Sequence, residues 1–280
     1  MPLEEGLKQS ITMKANKGYF HSFHLVDQSP WPLITSLASF LLVSGFISMV
    51  FADIYAVQLL KVAALAVILA ACNWWLDVTK EASTDAMHSA SVQKGILAGI
   101  ALFIASESMF FFSLFWSFFD GSFNPDFAIG SIWPPFKVQT FSVLGLPFLN
   151  TAVLLTSGFT ISRGHEDTIL GRNIDAIEMY EATLSLGAAF SLFQSEEYVA
   201  SVFDFSDSVY AASFFLTTGF HGSHVSIGSF LMLACYFISV FDLHEKTDKR
   251  HLGLEFSIAY WHFVDLIWLI VFSSMYIWGS

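Results

Sequence analysis

One carboxyl, Glu107, interrupts the run from Val92 to Phe119, VQKGILAGIALFIASESMFFFSLFWSFF, which is otherwise almost wholly apolar and aromatic. An ionisable side chain in hydrocarbon costs about 2.5 kcal/mol or more on insertion scales, so it calls for a functional account. Its helical neighbours three and four positions away are Phe103, Ile104, Phe110 and Phe111, which describe an apolar pocket. Burial there favours the neutral acid, and no basic residue within four positions opposes it. Two roles fit: a hydrogen-bonded carboxyl packed between helices, or a proton-relay or lipid-contacting group.

Further groups able to do chemistry lie downstream. His221 and His224 in GFHGSH are three apart, as are His262 and Asp265 in YWHFVD, so each pair shares a helix face. A metal or haem would want such pairs on facing helices, whereas interhelical hydrogen bonds explain them without any cofactor. There is no CxxCH, no HExxH and no phosphate-binding glycine loop. Cys72 and Cys235 sit in apolar runs outside any CxxC, which argues against a disulfide framework or a zinc site. Trp74, Trp75, Asp77, Lys80 and Glu81 close another apolar run, and His88 follows in a polar connection. Tryptophans at such an end are interfacial anchors, or else cover a lipid whose phosphate meets a basic residue. The segment HSFHLVDQSPWP before the first run reads as an interfacial arm, with Pro30 and Pro32 holding off helix formation.

The elements that must carry these groups are membrane spans. The 280 residues are 55% hydrophobic and only 13% charged, against about 25% charged in an ordinary soluble domain. Runs of roughly 20 apolar residues mark spanning helices. Seven are expected: Leu33 to Ala52, Ala56 to Val78, Val92 to Phe119, Phe141 to Ser162, Ala176 to Phe193, Val209 to Phe241 and Leu252 to Trp278. Asn124, Pro125 and Trp133 to Pro135 mark one polar connection and Gly164 to Asn173 another.

Ten of the twelve basic residues fall on one side of these spans: Lys8, Lys14, Lys17, Lys80, Lys94, Arg163, Arg172, Lys246, Lys249 and Arg250. The positive-inside rule puts that side, with the N-terminus, in the cytoplasm or matrix and Trp278 opposite. The opposite loop from Glu196 to Asp207 is acidic and has no base. A net charge of −12 does not suggest nucleic acid as a partner. The first twenty residues have neither the arginines of a transit peptide nor the apolar core of a secretory signal.

With these strings in place, the chain resembles subunit III of the haem–copper cytochrome c oxidases. The matching segments are HSFHLVDQSPWPL at 21–33, NWWLDVTKE at 73–81, VQKG with LFIASESMFF between Val92 and Phe111, and LPFLNTAVLLTSG at 146–158. QSEEY at 194–198, TTGFHGSHVSIGS, YWHFVDLIWL and the closing YIWGS follow in order. The resemblance implies an all-α membrane protein of seven transmembrane helices. Its two-helix and five-helix bundles would be separated by a V-shaped, lipid-filled cleft. The chain would divide into an N-terminal arm (1–32), helices 1 and 2 (33–79), a loop (80–91) and the five-helix bundle (92–280).

The implied function is that of a non-catalytic subunit of cytochrome c oxidase, stabilising the catalytic core and supporting proton uptake as electrons pass from cytochrome c to oxygen. The subunit would itself have no metal site and bind no haem or other cofactor directly. Haem a and copper would belong to partner subunits, chiefly subunit I, and this subunit would hold structural phospholipids. The implied location is the mitochondrial inner membrane with a matrix N-terminus, or a bacterial plasma membrane with a cytoplasmic one. Carried over by position, Trp74, Trp75, Lys80, Ser83, His88, Glu107 and His224 surround the lipids, and Glu107 matches the family's intramembrane carboxyl that reacts with carbodiimide. Leu76, Ile238, Glu166 and Ala259 stand where the family usually has arginine, arginine, histidine and tryptophan. That leaves Lys80 as the main phosphate partner on its face. A quinol-oxidase subunit III usually lacks the first two helices, which are expected here, and a stand-alone transporter or proton channel should show a repeat or broken half-helices.

Overall fold

The structure, a computed structural model, describes residues 24–83, 88–136, 138–241 and 252–280. Among these residues the chain forms seven long α-helices and no strand. They are α1 (Trp31–Val50), α2 (Ala56–Ser83), α3 (Ala90–Phe123), α4 (Leu146–Ile169), α5 (Asn173–Val199), α6 (Val209–Phe241) and α7 (Leu252–Val271), which runs on as a wider turn over Phe272–Trp278. Five of them, α1, α2, α3, α6 and α7 with its extension, are long and apolar enough to cross a membrane. Both α4 and α5 fall short of that standard in mean hydropathy, with polar residues such as Asn150 and Arg163 in α4 and Glu178 and Glu181 in α5 interrupting their apolar runs.

Helix ends depart from the expected bounds for local reasons. Pro32 does not delay α1, because a proline in the first turn lacks only an N–H that had no partner there. Between α1 and α2 the chain turns through Ala52 at φ 55°, and Asp53 accepts a hydrogen bond from the Tyr55 N–H at 2.9 Å. The segment Gly164 to Asn173, expected as a loop, is mostly helix. Within α4, Arg163 pairs with Glu166 at 3.2 Å and with buried Asp167 at 3.3 Å, and Arg172 closes on Asp167 at 2.6 Å. The helix stops at Gly171, whose φ of 72° suits a residue without a Cβ. There Gly171 N–H donates to Thr168 O and Arg172 N–H to Asp167 O, the paired bonds of a Schellman stop. In turn α4 begins at Leu146, five residues later than expected, behind Gly145 and Pro147.

The chain divides into two compact units, Met1–Ala98 and Gly99–Ser280. In the first, α1 packs along α2, with Gly45 against Leu60 and the Trp31 indole donating to Asp77. In the second, α4, α5, α6 and α7 form the core, and α3 presents Phe111, Phe115 and Phe118 to it from one face. The keystone is Trp261 of α7, which is fully buried. Its ring lies against Gly187 of α5 and Gly228 of α6, and its indole N–H donates to Ser157 of α4 at 3.0 Å. Three helices are thereby fixed to one side chain, and small residues let their backbones close in, as membrane helix packing requires.

A Cβ added at Gly187 would come within 2.7 Å of the Trp261 ring, whereas one at Gly222 would meet nothing within 4 Å. Gly187→Ala should therefore cost about 1–3 kcal/mol by overpacking, and Gly222→Ala should be neutral or slightly stabilising. Thermal unfolding of the purified chain in detergent measures the difference, and equal midpoints would contradict this account of the Trp261 seat.

Candidate functional site

Helix α3 carries Glu107 at its middle, with the side chain 26% exposed. The partner that sequence reasoning did not identify is His224 of α6, whose Nε2 lies 2.9 Å from Glu107 Oε2. Helical periodicity finds neighbours on the same helix only, and 117 residues separate the two. Around the imidazole stand Phe111, edge-on at 4.9 Å, Tyr260, nearly parallel at 6.2 Å, and Phe263 at 6.3 Å. The expected apolar surroundings are thus present, with a polar contact set inside them.

The hydrogen bonds decide the proton inventory of this pair. His224 Nδ1 lies 2.7 Å from the Phe220 carbonyl oxygen. A carbonyl only accepts, so Nδ1 must carry its hydrogen. Nε2 and Glu107 Oε2 then need at least one further proton between them. With none, two lone pairs would face each other at 2.9 Å. The proton sits on the carboxyl, giving an acid–imidazole bond, or on the ring, giving carboxylate and imidazolium. In both forms the pair has zero net charge, the cheapest state for such groups in hydrocarbon.

The remaining histidines of the spans tie helices together. Fully buried His221 places Nε2 3.1 Å from the Val264 carbonyl of α7 and packs against Phe190 and Trp268. His262 lies 3.6 Å from Asp265 on its own helix, and its Nε2 meets the Ser162 hydroxyl of α4 at 3.0 Å. The two members of GFHGSH thus serve different neighbours, α7 and α3. Glu197, read as part of an acidic loop, is instead buried at the end of α5, because that helix runs six residues past Phe193.

At the end of α2, Trp74, Trp75, Leu76 and Lys80 are all exposed. The side chain of Ser83 and residues 84–87 lie outside the described residues. His88 just beyond them faces His24 edge-on at 5.9 Å, and His24 Nδ1 is 4.0 Å from Glu81 Oε2. Burial draws the His88 imidazole below its usual pKa, the neighbouring His24 adds to this, and Glu81 opposes it. The sequence placed these three in an arm, a helix end and a loop, with no spacing that joins them.

Comparison with known proteins gives a consistent result. The family profile described as Cytochrome c oxidase subunit III matches residues 21–280. The chain is 41% identical to cytochrome c oxidase subunit 3 of Prototheca wickerhamii, over 93% of this chain and 98% of that protein. It is 40% identical to the subunit 3 of Heterololigo bleekeri, covering 92% and 98%. The subunit 3 of Coturnix japonica is likewise 40% identical, covering 93% and 98%. The ordered motifs, the seven helices and these end-to-end matches agree, and the chain belongs to the cytochrome c oxidase subunit III family.

Proposed function

We propose that this chain acts within its oxidase as a non-catalytic subunit that buttresses the catalytic core, holds structural phospholipids and supports proton uptake during sustained turnover. The observation that carries this reading is the use made of the span histidines. His221, His224 and His262 each have a ring nitrogen engaged by a backbone carbonyl or a hydroxyl, and His224 also meets a carboxyl. Groups held in this way join helices rather than present an open ligand set. Haem and copper chemistry then belongs to partner subunits, subunit I chief among them. The complex would sit in the mitochondrial inner membrane with this chain's N-terminus on the matrix side, in keeping with the placement of its basic residues.

Phospholipid is the occupant that the exposed end of α2 favours. Trp74 and Trp75 offer amphipathic rings at head-group depth, and Lys80 offers an ammonium to a phosphate. Lipid held there excludes water from the flank of the neighbouring subunit and limits motion around its buried polar groups. The test is steady-state oxygen consumption over many turnovers, with and without this chain, at equal haem content. The first turnovers should survive its removal, with slower proton uptake or earlier inactivation thereafter. Loss of activity on the first turnover with haem and copper sites intact would make the chain a catalytic component instead.

Two substitutions test the parts. Lys80→Ala should lower phospholipid retention in native mass spectrometry of the complex, and unchanged retention would remove Lys80 from the head-group site. Glu107→Gln keeps a donor for His224 Nε2 and should leave the thermal midpoint of the complex near wild type. Glu107→Ala strands that nitrogen among aromatic rings, at a cost of about 1–3 kcal/mol. Equal midpoints for the two variants would show that the Glu107–His224 bond contributes nothing to stability.

A further inference from the structure

The group formed by His24, Glu81 and His88 has a chemistry beyond the lipid contact expected of His88 alone. One potential ligand atom from each lies within 4.8 Å of the others, the only such set of three among the described residues. None is consumed by the others, since His24 Nδ1 and Glu81 Oε2 are 4.0 Å apart, beyond hydrogen-bond range. His88 Nδ1 is buried and has no hydrogen-bond partner among the described residues. A buried imidazole nitrogen without a partner carries an uncompensated desolvation cost, and this ring stands beside a second imidazole and a carboxylate.

We infer that His24, Glu81 and His88 form a binding site for a divalent transition-metal ion of the zinc type, with a fourth coordination position left open. Two imidazoles and one carboxylate are a recurrent three-ligand set for zinc, with bonds of about 2.0–2.2 Å. Tetrahedral geometry at that bond length sets ligand atoms about 3.4 Å apart. The longest separation here, 4.8 Å, must therefore close by about 1.4 Å, within reach of side-chain rotation. Magnesium and calcium prefer all-oxygen shells, which this set does not supply. A phosphate is disfavoured because the Glu81 carboxylate would face it. The three ligands come from the arm before α1, the last turn of α2 and the approach to α3, so an ion would tie the approach to α3 to the end of the hairpin that the Trp31–Asp77 bond fastens. The side chains of His24 and Glu81 keep 10% and 26% exposure, which leaves a route for the ion.

Zinc is the probe. The intact oxidase, stripped of loosely held metal and dialysed against micromolar Zn²⁺, is analysed for zinc per complex alongside His88→Ala and Glu81→Gln. Wild type should retain one zinc more than either variant. Anomalous scattering at the zinc edge on the wild-type complex should place a peak among the three side chains, a readout that needs no variant. Equal zinc in all three proteins, or an anomalous map with no peak there, overturns the assignment. Phospholipid retention measured on the same samples reports on the head-group reading separately, so either reading can fail without the other.

Discussion

Hydrocarbon offers a polar atom nothing, and that constraint organises this protein more than any single contact. Every hydroxyl, indole and imidazole in a span must find its partner inside the chain or carry the cost of having none. The cheapest solution recurs along the helices, where serines and threonines bond a carbonyl three or four residues back, as Thr151 does to Pro147 and Ser157 to Leu154. Those same two hydroxyls then accept from Trp268 and Trp261 of α7. One oxygen thus satisfies its own helix and anchors another. Bulk is needed for the same reason, because helices without a hydrophobic driving force between them associate through close packing. Large rings seated against glycine supply it.

The broad architecture was readable from the chain because length and hydropathy are strong signals in a membrane. All seven spans exist as helices, and their order follows the sequence. The ends were less readable, for two physical reasons. Charge near a helix end reads as loop in a hydropathy window, yet Arg163, Asp167 and Arg172 neutralise one another and let α4 continue to Ile169. Proline reads as a breaker, yet in the first turn of α1 it breaks nothing. The family's motifs identified Glu107 and His224 separately, but their bond is a meeting of α3 and α6 that helical periodicity does not encode.

The polar group at the other end of the chain was concealed in a different way. His24, Glu81 and His88 share no motif, and the intervals between them carry no ligand signature. What brings them together is connectivity: an arm leading into α1 and a loop leaving α2 must lie at the same end of an antiparallel pair, as the Trp31–Asp77 bond already shows. A reading that asks which polar residues share an end of a helical hairpin would have gathered them, where one that looks only for short-range spacing does not.

The carbonyl of Phe220 has a consequence for how this membrane subunit responds to voltage. By holding the Nδ1 hydrogen of His224 it leaves the ring and Glu107 in need of a proton between Nε2 and Oε2. A lone carboxylate at that depth would feel about 2.3 kcal/mol per 100 mV for a full crossing of the membrane field, and its position and protonation would vary as the membrane is energised. A neutral pair has only the displacement of one proton across a short bond to offer the field. The same carbonyl engages the ring's far nitrogen at 2.7 Å. Two contacts, one to the backbone of α6 and one across to α3, thus hold both nitrogens of this ring.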